Sequence, residues 1–184
     1  DNNGWRSGQN WAGGTSLDGR YAAAGMILED FKDQPEDPAM TAKKSWFMFE
    51  NEIVCLGAGI QNKGMDLPVE TTIENRRLGT DGENAFVVNG EETNLPMKEA
   101  NIKELAEHSA DVSGTEFDGA EWAHLEGNGT SSGTGYYFPE EGTSIRARRA
   151  RNTGNWSDIG TLDKGTTTFD VNKTILEVKL TFHE

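Results

Sequence analysis

Glycine separates this chain into short segments, and that spacing limits the fold more than any other feature. The 22 glycines and several Asn/Asp clusters lie between short apolar or alternating runs, which is the pattern of strands joined by turns. In "ILEVKLTF" every second residue is apolar, so Leu176, Val178, Leu180 and Phe182 are predicted to form the core face of one strand. The fold class predicted is therefore all-β, as an antiparallel β-sandwich.

The strand pattern covers most of the chain. Strands are predicted at 21–31, 43–49, 52–60, 69–78, 85–88, 121–125, 135–138, 144–151, 166–169 and 174–182. Helical spacing occurs in "MKEANIKELAEHS", residues 97–109, which predicts at most one short helix or a loop with one helical turn. A length of 184 residues suits one domain. Residues 1–184 are therefore interpreted as a single β-sandwich module, excised from a larger multidomain polypeptide.

Composition excludes several classes of protein. A net charge of -14 disfavours nucleic acid, because binding phosphates requires a surplus of clustered cations. No apolar run approaches the roughly 18 residues of a membrane span. The single cysteine, Cys55, excludes an internal disulfide and is predicted to be a buried small apolar residue. We therefore expect no nucleic-acid partner and no membrane partner.

The largest side chains are concentrated in "KSWFMFENEIVCLGAGI". Trp46, Phe47, Met48 and Phe49 alternate between the two faces of a predicted strand, and Asn51 begins a tight turn into the next strand. We predict that both faces of this strand are covered, as in the middle of stacked sheets. The alternative is that these aromatic residues form a ligand platform.

Sequence motifs identify a resemblance. "KSWFMFENEIVCLGAGI", "VETTIENRRL", "GYYFP" and "NTGNWSDI" resemble the central β-sandwich of the family 8 polysaccharide lyases, which include hyaluronate, chondroitin and xanthan lyases. The resemblance covers about residues 11–182. It implies a sandwich that packs against an α/α-toroid domain, where most of the catalytic residues lie. Since nothing here resembles that toroid, no catalytic residue is assigned, and the chain alone is predicted not to be an enzyme.

Residues suited to independent catalysis or metal binding are scattered. His108, His124 and His183 have neither triad nor metal-ligand spacing and are interpreted as ordinary histidines. Glu70 and Glu74 are predicted to share a strand face and to be solvated. We expect no cofactor; the alternative is a structural calcium ion bound by the oxygens of "DVSGTEFDG".

One basic segment stands out in this acidic chain. "SIRARRARNTGNW" contains Arg146, Arg148, Arg149, Arg151 and Trp156. In an unbulged strand the first two arginines share one face and the last two share the other. Guanidinium groups pair with carboxylates and an indole stacks on sugar rings, so this segment is a candidate polysaccharide site. The alternative is that the arginines neutralise nearby acidic residues.

Other candidate binding residues lie outside that segment. Arg76 and Arg77 in "ENRRL" could extend the basic patch. Trp5, Trp11 and Tyr21 form a second candidate platform, because exposed aromatic residues on sheets commonly hold glycans. The alternative for the tryptophans is that they fasten the end of the chain to the core.

These inferences, together with the resemblance, predict a function and a location. The chain is predicted to bind an acidic polysaccharide, such as xanthan or a glycosaminoglycan, without cleaving it. It would do so as an accessory module of a secreted, extracellular bacterial enzyme, a polysaccharide lyase or a glycoside hydrolase, with that enzyme's other domains as partners. The alternative is a structural β-domain fragment of a family 8 lyase that is active only with its toroid.

Overall fold

The computed structural model describes residues 9, 11–30, 40–63, 69–101, 104, 113–155 and 174–183. For residues 30, 155 and 174–183 the description is limited to the backbone. The chain divides into two compact units, Asp1–Val69 and Glu70–Glu184, and each is described by itself. The prediction that 1–184 is a single module remains a prediction.

The first unit contains a four-stranded antiparallel sheet. Its strands follow each other in space as they do in sequence, and they are β1 (Ala12–Leu17), β2 (Tyr21–Asp30), β3 (Met40–Met48) and β4 (Ile53–Asn62). The turn from β1 to β2 contains Asp18 and Gly19, whose φ angles are 53° and 66°. Asp and Gly adopt this left-handed conformation more readily than other residues, so the pair permits the tight reversal.

The second unit contains two sheets. The smaller has the order β11-β10-β6-β7, with β6 at Phe86–Val88, β7 at Glu91–Glu92, β10 at Trp122–Leu125 and β11 at Thr134–Tyr137. The larger has the order β5-β13-β12-β8, with β9 also paired to β12. Its strands are β5 (Thr72–Arg77), β8 (Met97–Asn101), β9 (Thr115–Asp118), β12 (Ser144–Asn155) and β13 (Thr174–His183).

Strand β12 changes partner along one edge. Its residues 144–147 pair antiparallel with β9, and its residues 149–153 pair parallel with β8. Arg148 lies between the two, and we call this position the fork. Beside it, a Cβ on Gly114 would lie 2.8 Å from the carbonyl oxygen of Ala147 and 2.7 Å from Cγ of Arg146. The close approach of this segment to β12 therefore requires glycine.

The cluster of buried hydrophobic side chains among the described residues lies in the second unit. Phe86, Leu125 and Ile145 are its largest fully buried side chains. The buried cluster also includes Leu78, Val88, Leu95, Ala120, Ala123, Phe138 and Ala147. Ile145 and Ala147 lie two residues apart on β12, so one face of this strand contributes to the core.

The all-β prediction is confirmed, and most predicted strands are present with ends shifted by a few residues. The sequence missed β1, β7, β8 and β9. The helical prediction is wrong for Met97–Asn101, which is strand β8; pairing with β12 overrides its weak local preference. The predicted strand at 166–169 and the rest of the helical segment other than residue 104 lie outside the described residues. The core face predicted for 174–182 involves side chains that also lie outside them.

The prediction that the aromatic run is covered on both faces is wrong for the described residues. Phe47 is 39% exposed, and Met48 and Phe49 are exposed too. Cys55, predicted to be buried, is also exposed. The physical reason is that the described strands of the first unit form a single sheet, and one sheet cannot cover its own two faces. The sheet of the first unit therefore presents large apolar side chains to solvent.

Candidate functional site

The arginines of β12 divide between the two faces of the strand. The pairing of β12 with β13 runs without a shift from Arg146 to Asn155. Arg146 and Arg148 therefore share one face, while Arg149 and Arg151 share the face of Ile145 and Ala147. The side chains differ in what they contact.

Arg149 is buried at the edge of the core. Its side chain is 8% exposed and donates hydrogen bonds to the carbonyl oxygens of Gly82 and Asn84, the latter at 2.7 Å. Burial lowers the pKa of the guanidinium, and the charge of Glu83 opposes that shift. The loop that it contacts is itself fixed, because the Asn84 side chain accepts from the Gly79 amide at 2.8 Å. This geometry is that of a residue that anchors a loop.

Arg146 and Arg151 lie near carboxylates. Arg146 forms an ion pair with Glu70, and both side chains are partly exposed. Nε of Arg151 lies 4.0 Å from Oε1 of Glu99. These contacts favour the hypothesis that the arginines neutralise acidic residues. A role of Arg146 or Arg151 in binding polysaccharide stays a prediction.

Arg148 lies at the fork, between the pairing of β12 with β9 and its pairing with β8. Its Nε and Nη2 atoms are buried and have no hydrogen-bond partner among the described residues. The side chain lines a small cavity beside the fork. Nε of Arg149 and Nε of Arg151 are likewise buried without a hydrogen-bond partner among the described residues.

Arg76 lies on β5 and belongs to a polar network that joins β5 to β11. Its guanidinium lies 2.9 Å from Oε2 of Glu74 and donates to the Thr134 hydroxyl at 2.9 Å. The Tyr136 hydroxyl donates to the same Glu74 carboxylate at 2.5 Å. Burial, followed by this hydrogen bond, raises the pKa of Tyr136 well above its usual range. Glu74, predicted to be solvated, is thus held between two donors, whereas Arg77 is exposed.

The first sheet brings together two of the three aromatic residues predicted as a platform. The Trp11 carbonyl accepts from the Ile27 amide at 3.2 Å, which continues the pairing of β1 with β2. A Cβ on Gly25 would lie 2.8 Å from Cη2 of Trp11, so the indole packs directly over this glycine. The alternation of the paired strands places Tyr21 and Phe47 on the same face.

This surface carries several large exposed apolar side chains, and the polar residues Thr15, Lys43 and Ser45 lie on the same face. We call it the aromatic face and define it by the exposed residues that the strand pairing places on it: Trp11, Leu17, Tyr21, Phe47, Val54 and Leu56. From Trp11 to the row of Tyr21 it extends six residues, or about 20 Å. Sequence reasoning missed Leu17, because β1 was not predicted, and assigned Phe47 to the core. Trp5 and Trp156 lie outside the described residues.

The described residues show no other arrangement with obvious chemistry. None of their His, Cys, Asp and Glu side chains form a group of three or more that could hold a metal ion. His124 lies on β10, whereas His108 and the side chain of His183 are outside the description. In the part of the chain described, no helix is long and apolar enough to cross a membrane.

Comparison with known proteins identifies the domain type. The family model for polysaccharide lyase family 8, super-sandwich domain, matches residues 1–182. A xanthan lyase of Bacillus sp. (strain GL1) is 36% identical over 145 residues, which are 78% of this chain and 13% of that protein. A hyaluronate lyase of Thermasporomyces composti is 36% identical over 149 residues, which are 81% of this chain and 16% of that protein.

A solved structure gives the same result. The structure of a Paenibacillus xanthan lyase matches 98% of this chain and 15% of that chain, with a TM-score of 0.76 and 30% sequence identity. The chain thus spans about one seventh of the length of the relatives that it matches. The expected resemblance is confirmed: the chain belongs to polysaccharide lyase family 8, as a super-sandwich domain.

Proposed function

We propose that this chain is the non-catalytic β-domain of a secreted polysaccharide lyase and serves it by packing against the rest of that enzyme through the aromatic face. The relatives bear the names of enzymes that act on xanthan and hyaluronate, and this chain matches a small part of each. The substrate of the whole enzyme is then an acidic polysaccharide of this kind, acted on outside the cell.

The observation that carries this proposal is the composition of the aromatic face. It combines aromatic residues with exposed aliphatic ones, of which Leu56 is 51% exposed. Aliphatic side chains contribute little to sugar stacking, whereas surfaces rich in large apolar side chains are typical of regions that other protein segments cover. The proposal therefore assigns this face to contact with another part of the same polypeptide.

A charge placed on this face distinguishes a covered surface from a free one. In the 184-residue chain, Leu56→Asp is expected to change stability little, because the side chain already contacts water. In the parent enzyme the same substitution buries a carboxylate, which is expected to lower stability by about 1 to 3 kcal/mol and to reduce polysaccharide cleavage. Thermal unfolding of both forms and release of unsaturated product from xanthan and hyaluronan are the measurements.

The control is Tyr137→Asp, which adds the same charge at an exposed side chain of the second unit. It is expected to leave both forms unchanged. Equal effects of Leu56→Asp on the isolated chain and on the parent enzyme would contradict the proposal.

A second candidate function is direct binding of polysaccharide by the isolated chain, and Trp11 is the residue that favours it. Its indole lies over Gly25 yet is 56% exposed, which leaves an aromatic surface open to a sugar ring. Because a stacked ring contributes about 0.5 to 1.5 kcal/mol, Trp11→Ala is expected to weaken binding roughly 2- to 12-fold.

Affinity electrophoresis of the 184-residue chain in xanthan, hyaluronan, chondroitin and a neutral glucan measures this binding. The control is Trp122→Ala, which removes an exposed tryptophan from the second unit. If no polysaccharide retards the wild-type chain, or if Trp11→Ala migrates as the wild type does, this second function is wrong.

A further inference from the structure

Strand β4 forms one edge of the four-stranded sheet in the first unit. Every residue from Ile53 to Gln61 is exposed. Residues of paired antiparallel strands alternate between pairs that exchange backbone hydrogen bonds and pairs whose N–H and C=O groups point away from each other. The Phe49 amide donates to the Glu52 carbonyl at 2.8 Å, which fixes this alternation at the turn that joins β3 to β4.

The register of β3 and β4 then shows which backbone groups of β4 face outward. The N–H and C=O groups of Val54 and Leu56 face β3, whereas those of Ile53, Cys55 and Gly57 point away from it. Among the described strands, β4 is paired on one side only. Its open edge therefore offers a donor and an acceptor at each of the three outward positions.

The other sheet edges in the described part of the chain carry features that discourage further pairing. Natural edge strands are protected by short length, by charged side chains or by proline. Strands β5, β8 and β9 contain charged residues, β7 consists of two acidic residues, and β11 has four residues. Strand β1 contains Gly13 and Gly14, and glycine weakens a strand.

The first six residues of β4 have none of these protective features. The segment "IVCLGA", residues 53–58, contains no charged residue and no proline. A bulge follows it, because the register shifts between Thr41 and Lys43 of β3 and Gly59 has a φ angle of 60°. Bulges interrupt pairing, so this one protects the end of the strand and leaves residues 53–58 open. An uncharged open edge of this kind is a template for another strand.

The side chains of β4 indicate the chemistry of the strand that fits beside it. Val54 and Leu56 are 40% and 51% exposed on the aromatic face, and Ile53 is 63% exposed on the opposite face. An added strand would place its alternating side chains next to these residues. The strand that fits is therefore uncharged and apolar on both faces, which is typical of a strand in the interior of a sheet.

We propose that a β-strand of the parent polypeptide, from outside these 184 residues, pairs with the open edge of β4 at residues 53–58. The inference rests on the proposed function, in which this chain is one domain of a larger enzyme, and the chain spans about one seventh of the relatives that it matches. A strand of the same polypeptide is held near the edge at a high effective concentration, whereas a second copy must associate from dilute solution. The added strand would extend the aromatic face beyond Val54 and Leu56.

Hydrogen-deuterium exchange, measured by mass spectrometry on overlapping peptides of the parent enzyme and of the 184-residue chain, tests this pairing. The amides of Ile53, Cys55 and Gly57 are expected to exchange at least about tenfold more slowly in the parent enzyme, because each gains a backbone hydrogen bond. The amides of Val54 and Leu56 face β3 and are expected to be protected in both forms. Equal exchange of the outward amides in the two forms would overturn the proposal.

Cys55→Pro tests the edge by mutation, because it removes an outward N–H and no bond to β3. Proline is tolerated on an edge strand where the N–H faces solvent, so the 184-residue chain is expected to unfold at nearly the wild-type temperature. In the parent enzyme the ring obstructs the added strand, and the unfolding temperature is expected to fall by at least about 2 °C.

The matched comparison is Leu56→Pro, which removes an N–H that faces β3 and is expected to lower the unfolding temperature of both forms. If Cys55→Pro also lowers both forms equally, the outward direction of the Cys55 amide is wrong and the proposal falls with it.

The edge and the aromatic face can fail separately. A parent enzyme that Cys55→Pro destabilises but Leu56→Asp leaves unchanged would refute contact through the face and support pairing at the edge, whereas the reverse result would overturn the edge pairing alone. Sedimentation of the parent enzyme tests the occupant. A dimer that Cys55→Pro dissociates would mean that a second copy occupies the edge, which overturns the assignment to the same polypeptide.

Discussion

Replacing Phe86 by alanine is expected to lower the free energy of unfolding by about 3 to 5 kcal/mol, the usual cost of emptying a buried aromatic site. Phe86 is 0% exposed and lies with Leu125 and Ile145 at the centre of the core. Its ring meets Phe117 edge to face, with centroids 6.2 Å apart. Alanine would leave a cavity between two strands that cannot close, and urea denaturation followed by circular dichroism measures the loss.

Phe47→Ala is the matched control for this experiment. The same atoms are removed, but Phe47 is already 39% exposed on the aromatic face. Its substitution is expected to cost less than Phe86→Ala does, because the part of the Phe47 side chain that already contacts water contributes no burial energy. If Phe47→Ala is the more destabilising of the two, the core assignment given above is wrong and the interpretation of "KSWFMFE" as a covered core strand is restored.

Replacing Arg149 by methionine is expected to lower the free energy of unfolding by about 3 to 4 kcal/mol. Methionine keeps much of the apolar volume but removes two charged hydrogen bonds, each worth roughly 1.5 to 3 kcal/mol. The carbonyl oxygens of Gly82 and Asn84 would lose this buried donor. Relief of the desolvation of the guanidinium offsets part of the cost, so the expected value lies below the sum of the two bonds.

The control is Arg146→Met, which removes a partly exposed ion pair with Glu70. Such pairs contribute about 0 to 1 kcal/mol, so this variant is expected to unfold nearly as the wild type does. Urea denaturation of both variants and affinity electrophoresis in xanthan distinguish a role of Arg149 in anchoring the loop from a role in binding polysaccharide. Retained stability with lost polysaccharide affinity in Arg149→Met would show that Arg149 binds the ligand rather than the loop.

The sequence predicted strands well where the side chains alternate and poorly where they do not. Strands β2, β3 and β4 carry clear apolar patterns and were placed within a few residues. Strands β8 and β9 consist mostly of polar residues and exist because β12 offers an edge to pair with. The local sequence "MKEAN" does not predict this strand, because the pairing of β8 with β12 joins residues about fifty positions apart.

The candidate site shows the same limit: local patterns predict which face a side chain lies on, but not which distant segment it contacts. Strand alternation predicted that Arg148 and Arg149 face opposite ways, and the unbroken register agrees. It could not predict that Arg149 would contact the carbonyl oxygens of the loop before β6, or that Arg148 would lie at the change of partner. Both depend on contacts between distant segments. The shared face of Trp11, Tyr21 and Phe47 likewise requires the pairing of three strands, of which only two were predicted.

The position of β13 determines when the larger sheet can form during folding. This strand lies between β5 and β12 in the larger sheet, and its pairing with β5 joins Arg77 to Lys179. Bringing Arg77 and Lys179 together closes a loop of about a hundred residues. The conformational entropy of this loop is lost before the two strands gain contacts, which slows folding. The first sheet, whose strands pair with sequence neighbours, can form while the larger one waits for residues 174–183. During synthesis β5 would therefore lack a partner strand, and β12 would keep one unpaired edge, until residues 174–183 emerge; unpaired edges of this kind favour aggregation.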